Sequence, residues 1–496
     1  MNVYRRNTGR AALALAAALL AAGSAASCSS SDETPPIESP TPPPPLPAVA
    51  AQTGAQRLSL AQYRNSVAAA LGDDVVVPAA LEPDVSQNGF VSIGGSFSTV
   101  SARGIEQYEK ASYAIARQAL APERRARLVS CAPAGVRDDA CAGATLGAVG
   151  RTLWRRPLGA DEVARLVEVS GHAATTLGDF AAGLEFGLAA LLQSPSFLFR
   201  TAAGEDDPAH PGQRRYTSIE MASRLSFFLW NTSPDEELLG AAEAGALVEE
   251  AGLRQQVERL LDAPAARQGA RQFFSEYLGL GELDRLSKDP TLFTYYSPEV
   301  GPAAREETLR LFEHLVFDAD ADYRDIFTTR TTFVNPKLAS MYAIQAPSLD
   351  GFARAELPED SPRRGLLGHT SFLALQAHPV SSSATLRGKF IRTRLLCQGV
   401  PDPPVNVNTA LPEPTPELAT LRQRITSHLT VDSCAGCHLL MDPLGLGLEQ
   451  FDGLGRFRTL ENGAVIDPSG DVDGVAFTDA RGLGQALHDH PEIGAC

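Results

Sequence analysis

The chain has 496 residues, is 44% hydrophobic and 21% charged, carries a formal net charge of -16 and contains seven cysteines. These values describe a globular chain of two or three modules, since single cores stop growing near roughly 250–300 residues, and they exclude a disordered or collagenous one. The acidic balance argues against a nucleic-acid partner, which needs clustered cationic side chains to displace counterions.

Residues 1–27 read as a signal peptide: Arg5, Arg6 and Arg10, then an apolar run from Ala11 to Ala22 too short to span a bilayer, then small residues. Ala25-Ala26-Ser27-Cys28 is similar to a bacterial lipobox, with Ala25 where a Leu is usual. It predicts a lipid anchor on Cys28, with cleavage after Ala26 as the alternative. Several acyl chains on one cysteine anchor a protein stably, at about 0.8 kcal/mol per buried CH₂. Residues 28–55 are rich in Ser, then Pro, and Pro42 to Pro45 is unbroken. Such chain is extended and builds no core, so it is expected to be a tether. No later stretch reaches the roughly 18 apolar residues of a membrane span, which leaves the lipid anchor as the expected membrane contact.

The body from residue 56 is patterned for helices. Ser59 can cap a helix with Gln62 reaching back, and the apolar line through Tyr63, Val67 and Leu71 stops at Gly72. Thr217 and Glu220 repeat the device ahead of Met221, Leu225 and Phe228. Amphipathic runs follow at 104–120, 161–169, 180–192, 251–262, 268–279 and 303–317, and alternating strand patterns are scarce before about residue 460. The expected fold class is mainly α: multi-module helical bundles with a cytochrome c-like CxxCH segment and a small C-terminal β-hairpin, Ala464 to Phe477. Joints are read at Cys131 to Cys141, Glu205 to Arg214 and Gly399 to Pro416, and the expected modules are 56–130, 131–204, 205–350 and a CxxCH-bearing 351–496. Glu306, Glu307, Glu313 and His314 lie on one predicted helix, where a solvated face is the default.

A series of short motifs then occurs in order. They are Arg57-Leu58-Ser59 with Tyr63-Arg64-Asn65, Arg155-Arg156-Pro157-Leu158, Ser194-Pro195 with Phe197-Leu198, Ala222-Ser223-Arg224-Leu225-Ser226 with Phe228-Leu229-Trp230, Arg364-Gly365, Arg387-Gly388, and Cys434-Ala435-Gly436-Cys437-His438. Together they resemble the exported multi-module proteins of planctomycetes and myxobacteria built from the domain-of-unknown-function series numbered in the fifteen-eighties and fifteen-nineties. The resemblance covers nearly everything after residue 56. It implies an exported, membrane-associated protein grouped with cytochrome c-like proteins and a further helical module beyond the position of Cys496, and it implies no established reaction.

Cys434-Ala435-Gly436-Cys437-His438 carries the specific chemistry. Two thiols so spaced can form thioethers to the two vinyl groups of haem, and His438 then ligates the iron from one face as proximal ligand. The preceding helix is expected to start with Thr415 as cap and Pro416 at its first position, with Leu418, Leu421, Ile425 and Leu429 on one face. Gly and Pro in Met441-Asp442-Pro443-Leu444-Gly445 predict a tightly wrapped loop after the motif, and Arg456 or Arg458 could pair with haem propionates, a structural Arg being the default. The last Met, Met441, stands too close to His438 to reach the opposite haem face. His428 is the distal candidate, with His378, His488, His490 or water as others. Two other readings of the motif stay open, a structural or redox dithiol and a zinc site; zinc needs four ligands and only one pair is visible.

Cys131 and Cys141 close a short loop suited to a disulfide, and Cys397 and Cys496 pair by elimination. The cysteines then divide into one lipid-bearing, two haem-bearing and four bridged. Asp467 to Gly474 fails the EF-hand pattern and reads as hairpin turns. Serine-elbow, zinc-helix and phosphate-loop signatures do not occur. The expected function is therefore an exported, lipid-anchored protein of the periplasm or cell surface, on the outer membrane, carrying haem c and exchanging electrons with a redox partner in the cell envelope. The alternatives are a surface scaffold or polymer-binding protein with a structural CxxC, and a haem-dependent oxidoreductase acting on a glycan or other polymer.

Overall fold

Reciprocal caps start the helices where the sequence places them. In the computed structural model, which describes residues 53–401, 411–429 and 432–496, the Ser59 hydroxyl accepts from the Gln62 N–H and Gln62 Oε1 accepts from the Ser59 N–H. This box opens the helix Leu60–Leu71, which stops at Gly72 with φ of 111°; such a cap contributes about 1 kcal/mol. The helices Ala102–Ala119, Asp139–Trp154, Ala160–Leu177 and Phe180–Gln193 join it around Tyr63, Val67, Ile115, Leu146, Leu188 and Phe197. The strand Thr53–Arg57 pairs antiparallel with Phe199–Ala202, tying the two ends of this layer together.

The Glu205-to-Arg214 joint is a small hairpin, Glu205–Asp206 against Arg214–Arg215. The Thr217–Glu220 box then opens Ser218–Leu229. That helix, Glu236–Glu243, Glu250–Asp262 and Ala265–Tyr277 surround Trp230, Leu238 and Leu260. A third layer holds Val300–Glu313, Thr370–Leu375, Ala384–Phe390, Asp432–Leu446 and Ala480–His488, with Phe327, Phe372, Leu444, Phe451 and Leu487 in its core. The fold is mainly α, and every sheet among the described residues has two strands. None of the helices among them is long and apolar enough to cross a membrane. Disulfides join Cys131 to Cys141 and Cys397 to Cys496, with Cα atoms 5.8 Å and 5.5 Å apart.

Three local expectations are corrected. The terminal β element is two hairpins, Leu460–Glu461 with Ala464–Val465 and Gly470–Val472 with Val475–Phe477; Pro468 lies between them and has no N–H to continue a ladder. The helix expected from Pro416 begins at Leu421, because Thr420 and Gln423 form the stronger cap: Thr420 Oγ1 accepts from the Gln423 N–H while Gln423 Oε1 accepts from the Thr420 N–H. Glu307 is not on a solvated face; it is fully buried.

Its neighbours explain that burial. Glu307 accepts from Thr332 Oγ1 at 2.7 Å and from the Tyr342 hydroxyl at 2.6 Å, and His369 Nε2 lies 3.6 Å away. The guanidinium of Arg363 stacks 3.7 Å above the Tyr342 ring. Burial outweighs those contacts and raises the Glu307 carboxyl to about 7, while burial and Arg363 lower His369 to about 3. The other members of the set do face outward in part: Glu306 and Glu313 pair with Arg271, and His314 lies near Asp318. The signal peptide, Cys28 and nearly all of the tether fall outside the described residues.

Candidate functional site

Two glycines set the geometry of the site. A Cβ on Gly388 would lie 1.8 Å from the Met441 carbonyl oxygen, and one on Gly445 would lie 1.7 Å from that of Ala384. Only glycine lets the helices Ala384–Phe390 and Asp432–Leu446 meet backbone to backbone. Arg387, beside Gly388 and fully buried, donates Nη1 to the carbonyls of Leu448 and Phe451 at 2.8 Å each and Nη2 to that of Asp452 at 2.7 Å. It thereby clamps the chain that leaves the second helix. Burial pushes Arg387 down to about 10 and raises the Glu449 carboxyl 3.4 Å away.

The helix Asp432–Leu446 carries the motif and continues through Pro443, where the sequence predicted a loop. Pro443 removes one backbone donor, and the buried face of Met441, Asp442, Leu444 and Leu446 holds the turn in place. Arg392 Nε also donates to the Leu440 carbonyl at 2.8 Å.

Cys434 and Cys437 stand one turn apart on this helix, both half-buried and neither in a disulfide. Cys437 Sγ lies 3.7 Å from the Pro401 carbonyl. His438 Nδ1 is 2.7 Å from Asp442 Oδ2, and Asp442 Oδ1 accepts from Thr385 Oγ1 at 2.8 Å. Taken as a carboxylate, Asp442 only accepts, which makes Nδ1 the donor of this pair and Nε2 the ring nitrogen that would serve a metal. Two thiols one turn apart, followed by an imidazole whose second nitrogen is fixed by a carboxylate, make a donor set that fits haem attachment with Nε2 as the iron ligand. Among the described residues no three of His, Cys, Asp and Glu converge as a metal-ion site.

The other candidates lie as follows. His428 is on the helix Leu421–Leu429, with its side chain outside the description. His378 is exposed. His488 is shared between Asp489 and Asp325, and His490 Nε2 is 3.0 Å from Asp473. Arg458 is taken up by Glu449 and Ser382, and the Arg456 guanidinium sits 5.3 Å from the Tyr295 ring centroid. Asp467 and Asp471 accept from the backbone N–H groups of Ser469 and Gly474, as turn residues do. Sequence reasoning missed Asp442 and Thr385; the i, i+4 spacing of His438 and Asp442 was the one local signal.

A helical chain in successive layers, tied by two disulfides and bearing a thiol, thiol and imidazole on one late helix, is a multi-module protein with a single chemically distinctive module. Four families, each described as a protein of unknown function, match it in order: PSD3 (DUF1587) over residues 56–121, PSD5 (DUF1595) over 141–201, PSD4 (DUF1592) over 216–344 and PSCyt3 (DUF1588) over 363–461. The chain belongs to this domain-of-unknown-function series, and the PSCyt3 match encloses the site from Thr385 through Arg458. No curated protein and no solved structure matches it.

Proposed function

We propose that the chain is an exported c-type haem protein that transfers electrons in the cell envelope. Cys434 and Cys437 would hold a haem as thioethers through its two vinyl groups, and His438 Nε2 would bind its iron. The bound haem supplies a one-electron couple. The chain's own part is to orient and to anchor: Asp442 fixes the imidazole, Thr385 fixes Asp442, Arg392 holds the helix that carries the motif and Arg387 the chain that leaves it. The observation that carries the reading is the pair of half-buried thiols one turn apart beside a histidine already oriented by a buried carboxylate. The name of the family spanning the site also points to a cytochrome-like module. The leader and Cys28 favour export to the periplasm or cell surface on an outer-membrane lipid anchor, with a redox partner in the envelope.

The test is expression with a haem c maturation system, followed by haem staining of a denaturing gel. The full chain should stain, and the double variant C434A/C437A should not. Equal staining of both, or of neither, would remove the assignment.

A further inference from the structure

We infer that Asp442 is a positioning residue that holds negative charge against His438 and thereby sets a low reduction potential for the site. The inference rests on the haem reading above and adds to it what tunes the ligand. A histidine bound to a metal donates its other ring N–H to a carboxylate, a carbonyl or water, and the choice sets how basic the ligand is. A charged acceptor makes the stronger hydrogen bond. A more electron-rich imidazole stabilises Fe(III) over Fe(II), so a carboxylate partner lowers the potential.

An i, i+4 pair on an exposed helix would carry little of this effect, since solvent screens it. This pair is built differently. The Asp442 side chain is 1% exposed and that of His438 18%. The second oxygen of Asp442 accepts from Thr385 on the neighbouring helix at 2.8 Å, and Gly388 and Gly445 bring that helix close enough to reach. Asp442 thus meets the imidazole nitrogen with one oxygen and is held from the neighbouring helix by the other.

The arrangement predicts opposite responses. D442N keeps the shape and removes the charge, so Fe(III) loses stabilisation and the potential rises. T385V keeps the carboxylate and removes the donor that draws charge from it, so Asp442 pulls harder on the Nδ1 proton and the potential falls. Loss of a partner of this kind costs about 10–100-fold in metal affinity or activity; a shift of the same lower size, tenfold, in the Fe(III)/Fe(II) equilibrium of D442N is about 59 mV for one electron.

The experiment is a potentiometric titration, followed by visible absorption, of the full-length holoprotein and both variants, each with its covalent haem content measured. The expected result is a potential raised by about 59 mV or more in D442N, a tenfold change in the Fe(III)/Fe(II) equilibrium, and lowered in T385V, at unchanged haem content. Two loaded variants with the wild-type potential, or two that shift in the same direction, would overturn the role of Asp442 while leaving the haem reading intact. If D442N does not load, T385V decides, and a potential equal to wild type overturns the inference. A wild-type chain without covalent haem overturns the reading and the inference together.

Discussion

Replacing Gly445 by Ala should separate the two helices that build the site. The added methyl would stand 1.7 Å from the Ala384 carbonyl oxygen and 2.4 Å from its carbon, against an ordinary contact near 3.4 Å, so the helices must part by about 1–2 Å. Overpacking of that kind costs roughly 1–3 kcal/mol. The same movement pulls Thr385, the residue after Ala384, off Asp442, whose bond to it is 2.8 Å long. A buried acceptor left without that donor costs about 1–3 kcal/mol more. The expected loss is thus about 2–6 kcal/mol, a large part of the roughly 5–15 kcal/mol by which native domains are stable. Gly436 on the same helix supplies the control, because a Cβ there meets nothing within 4 Å. G436A should gain up to about 1 kcal/mol from helix propensity. Urea unfolding followed by far-UV circular dichroism reads both, provided the slope with denaturant is unchanged. A G445A midpoint equal to that of wild type would refute the claim that glycine contact positions the site.

Further outcomes follow from the buried groups and the bridges. Burial raises the Glu307 carboxyl to about 7 from 4.5, so the folded state holds a proton that the unfolded state has released. Its contribution to stability is full below pH 4.5 and is lost as pH rises to 7, on the order of 3 kcal/mol. E307Q should abolish this decline, and urea midpoints of the two proteins between pH 4.5 and 7 should diverge; parallel curves would contradict the buried carboxyl. R387M should cost about 3–5 kcal/mol by leaving three buried carbonyls without their donor and Glu449 with Arg458 as its remaining guanidinium partner, read as a lowered unfolding free energy; a value within about 0.5 kcal/mol of wild type, the spread of neutral surface changes, would contradict the clamp. The Cys397–Cys496 bridge closes a separation of 99 residues, for which chain entropy gives up to about 5 kcal/mol. C397S/C496S should unfold at correspondingly lower urea, and reductant should bring wild type toward it; a wild type indifferent to reductant would argue against the bridge.

What could be read from the sequence was local. The caps at Ser59 and Thr217 involve partners three residues away, and the thiols and His438 are set by spacing within five residues. Competition between neighbouring signals misled the reading at Thr415, because Thr420 also offers a cap and has Gln423 to complete it. Pro443 suggested a loop, yet one missing N–H is a small loss beside the buried contacts of Leu444 and Leu446. Glu307 looked solvated because Thr332, Tyr342 and His369, which enclose it, come from distant segments. Asp442 went unnoticed for the same reason: its second partner is Thr385, and nothing in the spacing of Gly388 and Gly445 announces that their backbones touch.

The most direct test of the central claim is the mass of the peptide that spans Cys434 to His438, taken from full-length protein exported by cells able to make haem c. The account predicts that this peptide carries one covalent haem across both thiols. An unmodified peptide, or one lighter by two hydrogens through a Cys434–Cys437 bridge, would contradict it.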